Sequence, residues 1–216
     1  MDRLSRFAPL SGLVTVGLFA AGNAIWGFEQ PERDAGVAEI VSFYEDTSTQ
    51  ILIGGTLSIL SLIFLVWFGA VLHQYLTAAE GSERSGLPLM ALGGAALTAA
   101  VGLGAETINM AGAMRAEDGE LTADTAQIYF DVSFAFGYPA AGIAMATLAL
   151  PIAVVALRTN RRLLCWLAWL AVAAALVMVF PLVSLVGPLF AIELFLLGTL
   201  SVWIYREGAG AAHPSG

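Results

Sequence analysis

Three acidic side chains, Glu106, Asp131 and Glu193, interrupt stretches that are otherwise apolar enough to lie in a membrane, and Asn23 and Asn109 share that setting. Ionisable groups at membrane depth are costly, face the protein interior and mark proton, ion or ligand pathways. Counted from the outer ends of their apolar runs at about 1.5 Å per residue, Glu106, Glu193 and Asn23 lie roughly 6–10 Å deep, and Asp131 slightly shallower. Four separate helices thus place polar groups at one level in the outer half of a bilayer. Glu106 and Asn109 are three apart and share a helical face, and Asp131 shares a stripe with Phe134 and Tyr138. Carboxylates brought close in a low dielectric repel, and a shared proton or bound cation relieves that repulsion. Glu106, Asp131, Glu193, Asn23 and Asn109 are therefore the candidate proton, cation or ligand site, with Glu106 and Glu193 expected to converge. The competing expectation is structural: each acid accepts hydrogen bonds from a neighbouring helix or extends to the outer interface.

Other chemistries lack their residues. The two histidines, His73 and His213, and the single Cys165 build neither a haem ligand pair nor a zinc site. Without lysine there is no Schiff base, and no glycine-rich loop precedes Lys-Ser/Thr. Serines and threonines in the spans have no suitably placed base. No catalytic residue, metal site or cofactor is expected, and the chain is read as a non-enzyme. Cys165 near the end of span 5 is read as a packed, inert thiol, and His73 as an interface residue.

The elements that must position these groups are helices. The chain has 216 residues, 58% hydrophobic and 12% charged, with mean hydropathy +0.81. Soluble domains run roughly 45–50% apolar and about 25% charged. A crossing helix needs about 20 mainly apolar residues, and six such stretches occur, at about 7–28, 50–72, 87–110, 127–157, 163–180 and 188–205. The expected fold is an all-α, polytopic membrane bundle of six transmembrane helices in residues 1–206, followed by a disordered tail at 207–216. The first stretch, with Arg3 and Arg6 before it and Gly22-Asn23-Ala24 near its end, is too long for a signal peptide's apolar core and is read as an uncleaved helix.

Local detail refines the spans. Asp46-Thr47-Ser48-Thr49 offers capping side chains for span 2. Span 3 is crowded with Gly93, Gly94, Ala95, Ala96, Ala99, Ala100, Gly102 and Gly104, which let helices approach closely, so it is expected at the bundle centre. Pro139 and Pro151 should kink span 4, and Pro181–Gly187 should form a tight turn between spans 5 and 6. In the first outer loop Val37, Ile40, Val41 and Tyr44 recur at helical spacing, which predicts a short helix on the outer surface or capping the bundle. The tryptophans, Trp26 among them, are expected in interface belts. No internal repeat is visible.

Charge gives the orientation. All nine cationic side chains are arginine. Arg3, Arg6, Arg84, Arg158, Arg161, Arg162 and Arg206 fall on one side of the six-span arrangement, and only Arg33 and Arg115 on the other. Cytoplasmic loops retain an excess of basic residues, so both termini are expected in the cytoplasm, in a multi-pass protein of the inner (plasma) membrane. The outer loops hold ten carboxylates against two arginines. That acidic outer face and a pI near 4.6 argue against nucleic acid as a partner. The partners expected are the lipid bilayer and a membrane protein, either another chain or a second copy of this one.

The segment from Ile51 to Gly81, with Trp67-Phe68-Gly69 and then Leu76-Thr77-Ala78-Ala79-Glu80-Gly81, is similar to a family of six-span bacterial (actinobacterial-type) integral membrane proteins of unknown function. The paired tryptophans in Arg162–Leu170 and the start of span 4 at Leu121–Gln127 look like the same family's segments. The resemblance implies the six-span fold and supplies no activity, cofactor or site residue. Two functions are carried forward: a non-enzymatic accessory or assembly protein, which should leave a small-residue helix face exposed, and a small proton- or cation-coupled transporter or channel with an acidic site in the outer half of the bilayer.

Overall fold

The structure, a computed structural model, describes residues 7–27, 29–81, 85–159, 162–179 and 186–211. Among these there are helices and no strands. A short 3₁₀ turn, Ala8–Leu10, leads into α1 (Ser11–Trp26). Then follow α2 (Val37–Glu80), α3 (Leu87–Glu117), α4 (Ala123–Ala135), a π-helical turn (Phe136–Ala140), α5 (Ala141–Arg158), α6 (Arg162–Val179) and α7 (Val186–Ala211). The segment α4–π–α5 is one continuous span, so six helices are long and apolar enough to cross a membrane. The protein is an all-α, multi-pass membrane bundle.

Sequential spans pack side by side, and α7 closes back on α1, so the six form a ring: α1, α2, α3, α5, α6, α7. Phe7 stacks on Tyr205 at 6.4 Å, which puts the two ends of the described chain at one end of the bundle. The closure is made by Ser201 of α7, whose hydroxyl donates to the Pro9 carbonyl at 2.5 Å and accepts from the Leu13 amide at 3.2 Å. The first amides of a helix have no partner within it, and here a serine 188 residues away supplies one.

Glycine sets the distances between helices. A Cβ on Gly22 would lie 2.5 Å from the Gly54 carbonyl oxygen and one on Gly54 would lie 2.5 Å from that of Gly22, so α1 and α2 meet backbone to backbone. Gly94 does the same between α3 and α5: its Cβ would lie 2.5 Å from the Leu148 amide nitrogen. Such approach is what drives helix association in lipid, where apolar side chains gain little from leaving it.

Several expectations change. The outer-loop stripe does not form a separate surface helix, because it continues without a break into span 2: Ile40, Phe43, Tyr44, Thr47 and Ile51 are one buried stripe of the 44-residue α2. The proposed cap at Asp46–Thr49 is mid-helix. Thr47 donates instead to the Phe43 carbonyl one turn back, and Thr49 to Glu117 of α3 at 3.2 Å. At 1.5 Å per residue α2 is roughly 66 Å long, about twice the hydrocarbon thickness of a bilayer. Its first turns therefore stand beyond the membrane, against the last turns of α3 and the start of α4.

Span 3 is not the centre of the bundle. Its most apolar stretch is 33% buried against 56% for the fourth span. Small side chains bring α3 close to α2 and α5 but leave Gly93, Ala96, Leu97 and Ala100 facing outward. Pro139 does not sharply break the fourth span. It removes one amide donor, and the helix absorbs the loss by widening to a π turn. Trp26 is 5% exposed and tilts against Phe43, while Trp67, Trp166 and Trp169 lie on the outside as belt residues would. The last helix runs past Glu207 to Ala211, so the tail is helical over its first residues. The turn expected between spans 5 and 6 lies at 180–185 outside the described residues, with Val186 and Gly187 already in α7. Arg3, Arg6, Arg84 and Arg161 also lie outside them.

Candidate functional site

Glu106 lies on the buried stripe of α3 with Ala95, Ala99, Asn109 and Ala113, and is 7% exposed. Its carboxylate faces α2. The Ser58 hydroxyl is its hydrogen-bonding neighbour, and Oε2 is directed toward Gly55, where a Cβ would stand 3.4 Å away. The missing side chain at Gly55 is what admits the carboxylate and the Met110 side chain between the helices. Oε2 itself is buried without a hydrogen-bond partner.

Ser58 also meets Asn23 of α1, whose side-chain amide donates to the Phe19 carbonyl at 3.0 Å and reaches the Ser58 hydroxyl at 3.5 Å, the long limit of a hydrogen bond. Asn23, Ser58 and Glu106 thus form a polar seam across α1, α2 and α3. One turn along α3 from Glu106, Asn109 accepts a 3.0 Å hydrogen bond from the Tyr44 hydroxyl, which also neighbours Ser133 of α4. The Tyr44 ring fits because residue 112 is glycine: a Cβ there would lie 2.7 Å from the ring. Four of the six spans are therefore joined by two short polar chains, with Glu106 and Asn109 as the link on α3.

Glu193 sits elsewhere. It is 4% exposed, on the α7 stripe of Leu196, Leu197, Leu200 and Ile204, and its Oε1 is also buried without a hydrogen-bond partner. Phe190, one turn earlier on the same side, lies between Phe19 of α1 (6.0 Å) and Tyr138 of the π turn (6.5 Å). The helices carrying Glu106 and Glu193 are not among the closely packed pairs, and the contacts of Glu106 are made with α2. Both glutamates are buried, on helices that are not packed directly side by side.

Asp131 leaves the group. It is exposed, because the buried stripe of α4 runs through Ala126, Phe130 and Ser133 and places Asp131 on the far face. The aromatic part of its stripe behaves differently: Phe134 packs on Tyr138 at 3.9 Å and receives the Arg33 guanidinium at 5.8 Å. No group of three or more His, Cys, Asp or Glu side chains gathers among the described residues.

Ser58, Tyr44 and Ser133 were not among the expected site residues. Serine and tyrosine at membrane depth are too common to single out. The i, i+3 and i, i+4 relations of Ser58 to Gly55 and Gly54 were the available sign that something polar is admitted there. Also missed was Glu80, whose side chain is only 5% exposed at the terminal end of the bundle, 3.6 Å from Arg158 and bonded by the Ser85 hydroxyl. Comparisons with protein-family models, curated proteins and solved structures find no match to this chain.

Proposed function

We propose that this protein is a small proton-coupled membrane transporter or channel in which Glu106 and Glu193 are the protonatable groups. The observation that carries this reading is that each glutamate is buried with one carboxylate oxygen unpartnered. A buried charge without compensation is far more costly than a neutral acid. Each group would then take up and release a proton as water or another helix reaches it. Glu106 has a polar lead through Ser58 to Asn23, along which hydrogen bonds can be exchanged. No cluster of three or more His, Cys, Asp or Glu side chains gathers around either group among the described residues, which favours a proton over a multivalent cation needing several oxygen ligands at once.

Orientation follows from the arginine distribution, with the termini cytoplasmic and the acidic loops outside the plasma membrane. The test is reconstitution into liposomes carrying a pH-sensitive dye. Imposed proton gradients should collapse faster with the protein than without it. Glu106→Gln should abolish the difference, and Glu193→Gln should reduce it at least tenfold. Proton flux unchanged in both variants, or no faster than in empty liposomes, overturns the assignment.

A second reading, an accessory or assembly subunit, is supported by the outward small residues of α3: Gly93 has open space around it, and Ala96 and Ala100 share its exposed side. Cysteines placed at Gly93 and Ala100 in the Cys165→Ser background should then cross-link to a partner in native membranes, and an uncross-linked monomer removes this reading.

A further inference from the structure

At the terminal end of the bundle, α2 and α5 finish side by side and leave a half-open cleft of about 480 Å³ lined by Ala79, Glu80, Val155, Arg158 and Thr159. It contains one group of each charge, paired across the cleft. The Glu80 side chain is 5% exposed, the Arg158 side chain is 49% exposed, and the two stand 3.6 Å from each other. Beneath the cleft the wall continues as an apolar depression formed by Leu76, Ile152, Val155, Ala156, Leu164 and Leu200. The cleft thus lies where a span leaves the hydrocarbon, polar above and apolar below.

We propose that this cleft binds a zwitterionic amino-phosphodiester, the chemistry of a phosphatidylethanolamine headgroup, with its phosphate on Arg158 and its ammonium on Glu80. Three features select that class. The guanidinium presents several donors suited to phosphate oxygens, and half of it is still open to solvent. Ser85 and Arg158 both engage Oε1 of Glu80, so a purely anionic headgroup adds negative charge beside that pair, whereas a headgroup with a primary ammonium can donate to the other carboxylate oxygen. Glu80 and Arg158 are also the last residues of α2 and α5, and helix C-termini favour positive charge. A quaternary ammonium has no N–H to give Glu80, so choline lipids should bind less well. Basic pockets between spans at this level of a membrane are known lipid sites; here the buried acid changes the headgroup they would take.

The experiment is native mass spectrometry of the intact chain in detergent, titrated separately with dioleoyl phosphatidylethanolamine, phosphatidylglycerol and phosphatidylcholine. One phosphatidylethanolamine should be retained, at least tenfold more tightly than either other lipid. Glu80→Gln should erase the preference over phosphatidylglycerol, and Arg158→Gln should weaken all phosphate-bearing ligands. Competition by soluble glycerophosphoethanolamine at a concentration similar to the lipid would identify a free zwitterion as the source, and its failure to compete would identify the membrane lipid. Equal retention of the three lipids by the unaltered protein overturns the proposal, as does tighter binding of phosphatidylglycerol, whether or not the variants fold. Neither arm involves Glu106 or Glu193, so the outcome is independent of the proton flux assay.

Discussion

At the loop end of the bundle α2, α3 and α4 are held by large aromatic side chains, Trp26, Phe43, Tyr44 and Phe130, and by hydroxyl and amide groups that bond across helices. At the terminal end the same α2 and α3 meet α5, α6 and α7 through Leu72, Leu76, Ala91, Ala95, Ile152, Ala168 and Leu200. One end is aromatic and polar, the other aliphatic and close-packed. The orphan carboxylate oxygen of Glu106 is buried beside Gly55 and Met110, next to the Ser58 hydroxyl. Tight aliphatic packing fixes one arrangement of helices. Exchangeable hydrogen bonds can be made in more than one pairing, the latitude that the proposed proton exchange would need. The terminal end accordingly holds the frame, and the loop end carries the polar pairings.

The contrast breaks most severely where packing is tightest. Gly94→Val places a side chain against the Leu148 backbone, which cannot rotate away. Overpacking of this kind costs about 3 kcal/mol. The variant should lose most of its monodisperse, folded yield and melt far below the parent in detergent. Gly93→Ala, one residue along, meets open space and should melt within about 0.5 kcal/mol of the parent. Equal effects at the two positions would mean that α3 and α5 do not meet as described.

Next in size is Ser201→Ala. It leaves the Pro9 carbonyl and the Leu13 amide without their partner at the point where the ring closes. An unsatisfied buried group costs about 1–3 kcal/mol. Thermal unfolding should shift accordingly, and proteolysis should release the segment before α1 sooner. At the loop end, Tyr44→Phe removes the bond to Asn109 but keeps the ring against Gly112. Interhelical hydrogen bonds in membranes average about 0.6 kcal/mol, so this variant should melt slightly lower. A loss as large as that of Ser201→Ala would contradict the view that the loop end tolerates changes of pairing.

Much of the frame was legible in the residues. Six apolar runs of sufficient length give six spans, and their ends differ from the structure mainly where helices continue beyond the bilayer. Hydropathy finds the membrane, not the helix. The continuation of α2 through Tyr44 was written in the Val37–Tyr44 stripe, but the Asp46–Thr49 run read as a start, since capping side chains and mid-helix hydroxyls bonding one turn back are the same residue types. The site was legible only in part. Depth placed Asn23, Glu106, Asn109 and Glu193 correctly inside the bundle, but depth does not give rotation about the helix axis. Asp131 turned outward for that reason, and Glu106 and Glu193 stand on α3 and α7, which the ring does not make direct neighbours. A stripe analysis of α4 would have moved Asp131 off the buried face, since Phe130 and Ser133 define it.

The smallest expected effect is at the loop end's most conspicuous contact. Arg115 and Glu120 form an ion pair of 2.6 Å across the turn after α3. Both side chains are more than half exposed. Water and salt screen such a pair, and holding two long side chains in one geometry costs entropy, so exposed pairs contribute about 0–1 kcal/mol. Glu120→Gln should therefore melt within about 0.5 kcal/mol of the parent, with the difference vanishing at high salt. Tyr44→Phe should exceed it even though its hydrogen bond is longer, because Tyr44 is wholly buried between three helices. If Glu120→Gln proves the more damaging of the two, surface charge rather than buried aromatic packing holds α3 to α4, and the loop end has no interior distinct enough to compare with the terminal end.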